Sequence, residues 1–149
     1  MTLNIFENQP EQDPDEQFIH IQQAFNGIQQ WSKTINTNVA LRNAINATIT
    51  NSSTSAINLL DAGFSLNTAL FSIDVVLDVT SPGTTEFFIY IDGQPIGTIV
   101  DAVNARHNVT WTDSLQTSAG RHTLNIQWKT SSGTVTLYSS KVIIKSYPN

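Results

Sequence analysis

The chain contains no cysteine, and charged residues make up only 13% of its 149 residues. The missing cysteines exclude a disulfide framework, a thiolate nucleophile and a cysteine-ligated metal. With 12 acidic and 7 basic residues the formal charge is −5, so the positive field that non-specific phosphate binding requires is missing and nucleic acid is not expected as a partner. Nowhere do about eighteen apolar residues run together, so no membrane-inserted helix is expected. The opening "MTLNIFENQPEQDPDE" has neither a basic n-region nor an apolar run, which leads us to expect cytoplasmic synthesis without a signal peptide.

Signals of catalysis are equally sparse. His20, His107 and His122 are the only histidines, and none falls in a metal-ligand spacing such as HxH or HExxH. There is no GxSxG elbow and no P-loop; "DGQPIG" reads as a turn because no helix and no lysine follow it. Asp74 and Asp78 share a strand face but stand about 13 Å apart, too far for the carboxylate pair of a glycoside hydrolase without help from another strand. No catalytic residue, metal or cofactor is therefore expected. His122 reads as a hydrogen-bonded core histidine. The acceptor patterns at Asn46, Asn51 and Asn108 read as chance in a chain this rich in Asn and Thr.

What is abundant is Asn, Gln, Ser and Thr, which suits a hydrogen-bonding surface in an assembly. Four regions differ in character. Residues 1–12 form an arm too poor in apolar side chains to bury itself, whose Leu3, Ile5 and Phe6 are expected to dock on a neighbour. Residues 13–40 open with Asp13 as N-cap, Pro14 at the first helical position and Glu16 three after the cap. Phe18, Ile21, Phe25, Ile28, Ser32, Ile35 and Val39 then recur at alternating spacings of three and four, the narrow stripe of a coiled coil. The regular helix is expected to stop near Lys33, and a rod of about 30 Å is marginal without partners. Bulky Phe and Ile at both seam positions favour more than two strands, hence a homotrimer. The other reading, with Ile19 and Trp31 widening the stripe, is a helix lying on its own β-domain.

Residues 41–62 read as an Asn/Ser/Thr-rich connector with first strands, Ile45–Ala47–Ile49 and then Ile57, Leu59 and Leu60, before a turn at Ala62-Gly63. From 63 to 149 the pattern alternates. "ALFSIDVVLDV" places Phe71, Ile73, Val75, Leu77 and Val79 on one face, and "RHTLNIQWKT" does the same for His122, Leu124, Ile126 and Trp128. "SPG", Asp92-Gly93, Ala119-Gly120 and Ser132-Gly133 break the strands, the second being a strong hairpin signal. The expectation is a mainly β protein: arm, short coiled-coil-like α-helix, then an antiparallel β-sandwich of jelly-roll type. Of its aromatics, Trp128 follows the buried phase, which leaves Tyr90 and Trp111 as candidate sugar-stacking residues.

The closing stretch "SAGRHTLNIQWKTSSGTVTLYSSKVIIKSY" resembles the last hairpins of small jelly-roll domains in bacteriophage and other virion proteins. Joined to the arm, the capped "QQAFNGIQQW" helix and the Asn-rich connector, it is similar to trimeric phage appendages: capsid-decorating (cement) proteins, head fibres and short tail fibres. The resemblance implies a non-enzymatic homotrimer on the capsid or tail surface of a virion, gripping capsid or tail proteins through its arm. It carries over no catalytic residue. The competing function is a module that binds a glycan or host receptor through Tyr90 and Trp111.

Overall fold

A computed structural model of the protein describes residues 38–147. Nine strands follow one another: β1 (Asn38–Ile45), β2 (Ile49–Asn51), β3 (Ile57–Leu66), β4 (Leu70–Thr80), β5 (Thr85–Ile91), β6 (Gln94–Asp101), β7 (His107–Gln116), β8 (Gly120–Thr130) and β9 (Val135–Ser146). They form two antiparallel sheets. One has the order β1-β9-β4-β7, with β2 also on β9, and the other the order β3-β8-β5-β6. Set aside the three-residue β2, and this interleaving of early and late strands is a jelly roll.

Alternation is what builds the two layers. Phe71, Ile73, Val75, Leu77 and Val79 of β4 are all buried, as are His122, Leu124, Ile126 and Trp128 of β8, because successive side chains of a strand point to opposite faces. Phe87 stacks on Trp128 at 5.8 Å, and Phe64 of one sheet meets Phe71 of the other at 6.3 Å. Each such side chain taken wholly out of water contributes about 1.5–3 kcal/mol.

Turn chemistry ends the strands. Asp92 and Gly93 both take positive φ, 51° and 79°, as a two-residue hairpin between β5 and β6 demands. Gly120 and Gly133 also sit at positive φ, at the turns expected there.

Three expectations need correction. The Ala62-Gly63 turn does not form: β3 runs straight through it, with Gly63 paired to Thr123, because the neighbouring β8 supplies ladder partners along its whole length. Ile45 and Ile49 belong to separate strands, both laid along β9 and interrupted opposite the bulge at Tyr138. The sandwich therefore begins at Asn38 rather than at 63, and Asn38–Ala40, the tail of the region expected to hold the helix, belong to β1. The rest of that helix, the seam Phe18, Ile21, Phe25, Ile28 and Ile35, and the arm residues Leu3, Ile5 and Phe6 lie outside the described residues.

Candidate functional site

Because His122, Leu124, Ile126 and Trp128 point inward, Arg121, Thr123, Asn125, Gln127 and Lys129 of β8 point to the outer face of its sheet. The register sets their neighbours. Ser65 stands opposite Arg121, Gly63 opposite Thr123 and Asp61 opposite Asn125 on the β3 side. On the β5 side Tyr90 stands opposite Asn125, Phe88 opposite Gln127 and Glu86 opposite Lys129. The outer face thus carries two aromatic rings, Phe88 and Tyr90, two residues or about 7 Å apart on one strand, each beside a side-chain amide.

The polar groups of this face are already organised. Asn125 Nδ2 is within donating distance of Leu60 O (3.1 Å), Asp61 Oδ1 (2.7 Å) and Asn58 Oδ1. An amide nitrogen has two hydrogens, so three acceptors share them at this position. Lys129 Nζ pairs with Glu86 at 3.1 Å and lies 5.6 Å from the Phe88 ring centre.

One end of the face opens into a hollow of about 410 Å³ over Gly63, walled by Ser65, Arg121, Thr123 and Asp92 and reaching Phe64 and His122. The histidine there has an assignable charge. Nδ1 contacts Asp92 Oδ2 at 2.5 Å and Nε2 contacts the Ser118 carbonyl at 2.7 Å. A carbonyl and an ionised carboxylate only accept, so both ring nitrogens donate and His122 is an imidazolium. The Asp92 hydrogen bond raises the imidazole pKa against the opposing effect of burial. In return His122, followed by the Thr123 N–H, holds the Asp92 carboxyl below its ordinary value.

The opposite end of the sandwich repeats this arrangement. His107 Nε2 bonds Asp101 Oδ1 at 2.9 Å and Nδ1 bonds Ala105 O at 2.8 Å; chiefly that carbonyl raises the His107 pKa. Asp78 receives Arg106, whose Nη2 approaches to 2.8 Å and whose guanidinium also lies 4.2 Å from the Tyr138 ring centre. Arg106 lowers the Asp78 pKa.

Of the acids considered for catalysis, Asp78 is thus committed to Arg106. Asp74 and Asp113 border one polar hollow of about 550 Å³ on the other sheet, together with Ser72, Thr112, Ser114, Lys145 and Tyr147.

The two aromatic candidates are not brought together. Tyr90 lies on the outer face of its sheet, whereas Trp111 stands opposite Val75, a core residue of the other sheet, and therefore points inward. Trp111 packs against the core at the β6–β7 edge. Phe88, Asn125 and Arg121 were not singled out from the sequence. The signal for Phe88 was present: in "EFFIYID" two aromatics occupy the phase that Phe87, Ile89 and Ile91 leave to solvent. Asn51 is buried, donates to Trp128 O at 3.2 Å and accepts from Ser53 N–H at 2.8 Å, so it is structural.

No family model matches the chain and no curated protein matches it, so the resemblance to phage appendages has no counterpart at the level of sequence. Solved structures share the fold. VP2 of infectious bursal disease virus, in its subviral particle, superposes with a TM-score of 0.52 at 14% identity, covering 75% of this chain and 33% of that one. The CBM36-1 domain of a multidomain xylanase from the hindgut metagenome of Trinervitermes trinervoides gives 0.47 at 9% identity, covering 74% and 90%. A carbohydrate-binding module CBM36 in complex with calcium and xylotriose gives 0.46 at 10% identity, covering 76% and 95%. At 14% identity the likeness to VP2 concerns the fold alone.

Proposed function

We propose that the sandwich is a non-catalytic glycan-binding module that holds a sugar chain along the outer face of the β3-β8-β5-β6 sheet. The observation that carries this reading is the pair Phe88 and Tyr90 on the solvent phase of β5, with Gln127 and Asn125 directly opposite them. A pyranose presents an apolar C–H face and a rim of hydroxyls. An aromatic ring takes the first, and a neighbouring amide or carboxylate takes the second. The face runs about 27 Å from Arg121 to Lys129 at the usual strand rise, enough for several sugar units.

A glycan array probed with the intact chain, followed by calorimetry on the best ligand, tests this. Tyr90→Ala is expected to weaken binding at least tenfold. Binding undisturbed by Tyr90→Ala and by Phe88→Ala removes the face from the account, and an array without signal overturns the reading.

A second reading rests on the N-terminal sequence and is compatible with the first. In it the seam of Phe18, Ile21, Phe25 and Ile28 makes a homotrimer, Leu3, Ile5 and Phe6 grip a capsid or tail, and the sandwiches present their binding faces outward from a virion.

A further inference from the structure

We infer that the hollow over Gly63 is the subsite of this face for an acidic sugar, taking the carboxylate of a uronic acid against Arg121. The inference rests on the glycan-binding reading and adds the substrate class to it.

Gly63 is the first observation. It sits inside β3, where a glycine weakens a strand and commonly marks a close approach by another group. A Cβ built there would meet only the backbone oxygen of His122, at 4.0 Å. Nothing in the fold requires glycine for space on its own side, and its backbone is not in the left-handed region. What the missing side chain does is open the outer face between Asp61 and Ser65, and the hollow occupies that opening.

The charge of the hollow is the second observation. Asp92 has both oxygens committed, Oδ2 to His122 and Oδ1 to the Thr123 N–H at 2.8 Å. The imidazolium balances its charge. Asp61, one row along, accepts from Asn125 at 2.7 Å. Arg121 is exposed and pairs with no acid among the described residues. Among the residues that line the hollow, Arg121 is therefore the charge without a partner, while the Asp61 carboxylate lies outside that lining. Its planar fork of N–H donors fits a carboxylate in two parallel hydrogen bonds, a geometry that a neutral hydroxymethyl group does not reproduce. Arg121 lies four residues, about 13 Å, along β8 from Asn125, so the acidic unit sits beyond the sugar stacked on Tyr90 in the same chain.

The test is a nuclear magnetic resonance titration of the isotope-labelled full chain with sodium glucuronate, methyl glucoside and sodium acetate. Glucuronate is expected to shift the Gly63 and Thr123 amides and the Arg121 Nε–H, at least tenfold more tightly than methyl glucoside or acetate, and Arg121→Gln is expected to abolish those shifts while leaving the spectrum folded. Arg121→Lys should restore the charge without the fork and recover only part of the affinity. Equal affinity for glucuronate and methyl glucoside, or for glucuronate and acetate, overturns the acidic-sugar subsite. So does an Arg121→Gln variant that binds glucuronate normally. In those cases methyl glucoside shifts at Tyr90 and Asn125 leave the glycan-binding face standing. If no sugar shifts any residue of that face, both readings fall together.

Discussion

Trp111 occupies the space that a side chain on Gly97 would need. A Cβ built on Gly97 of β6 would fall 2.4 Å from the Trp111 Cζ2 and 2.8 Å from its Cε2. The indole of one sheet's edge strand thus packs against the backbone of the other sheet's edge strand, closing the sandwich where β6 and β7 face each other. This is why Trp111 is unavailable as a sugar platform.

Gly97→Ala follows directly. The methyl has nowhere to go unless the indole moves, so the substitution is expected to cost about 1–3 kcal/mol, the usual penalty of overpacking. Urea denaturation followed by tryptophan emission reads both the loss and the red shift of a displaced Trp111. Combining Gly97→Ala with Trp111→Val should recover part of that loss; strict additivity would show that the two residues do not compete for the space.

Tyr90 should behave in the opposite way. Its side chain is on the solvent phase of β5, so Tyr90→Ala is expected to change stability by less than about 1 kcal/mol while weakening glycan binding at least tenfold. Trp111→Ala should lower stability and leave the affinity of the folded fraction intact. Calorimetry and urea melts on the two variants separate a binding role from a packing role.

Stability is expected to be greatest between the ordinary Asp and His titration ranges. The Asp92 pKa is lowered from 3.8, so its contribution is complete above that value and is lost as pH falls through the depressed one. The His122 pKa is raised from 6.5, so its contribution is complete below 6.5 and is lost as pH rises through the elevated one. His107 acts in the same sense as His122. The charged groups that interact with them are Asp92 at one end, and Asp101 and Asp78 at the other. Urea midpoints should therefore be higher at pH 5 than at pH 3 or pH 9. Asp92→Asn should shrink both flanks, and a flat profile in the parent protein would refute the paired histidines.

Phe25→Asp tests the seam. If the proposed seam forms, a carboxylate in it carries a desolvation cost that three copies multiply, so sedimentation equilibrium should show the parent near three times 16.4 kDa and the variant as a monomer. A variant with the parent's mass would remove the seam from the account. Glycan affinity per sandwich should be unchanged in the monomer, while avidity on a surface should drop.

Much of the sandwich was legible because its signals are local. Alternation in "ALFSIDVVLDV" and "RHTLNIQWKT" needs only the two-residue period of a strand, and Asp92-Gly93 needs only the positive φ that its turn demands. Gly63 misled for the same reason: a glycine after alanine reads as punctuation unless the strand that pairs with it is known. Tyr138 sits at a bulge in one long β9, where no turn residue announces the irregularity.

The site depended on relationships that no local pattern contains. The sequence by itself determined which residues alternate, that Asp92-Gly93, Ala119-Gly120 and Ser132-Gly133 turn the chain, and that cysteine chemistry has no basis here, since these follow from composition and from backbone geometry over a few residues. Only the tertiary structure decided that Tyr90 faces Asn125, that Trp111 turns inward over Gly97, and that Asp92 reaches His122 across thirty positions. The physical reason is that strand neighbours in a jelly roll come from distant parts of the chain. A side chain's surroundings are then set by register and sheet order, which become defined only when the two layers close on their core.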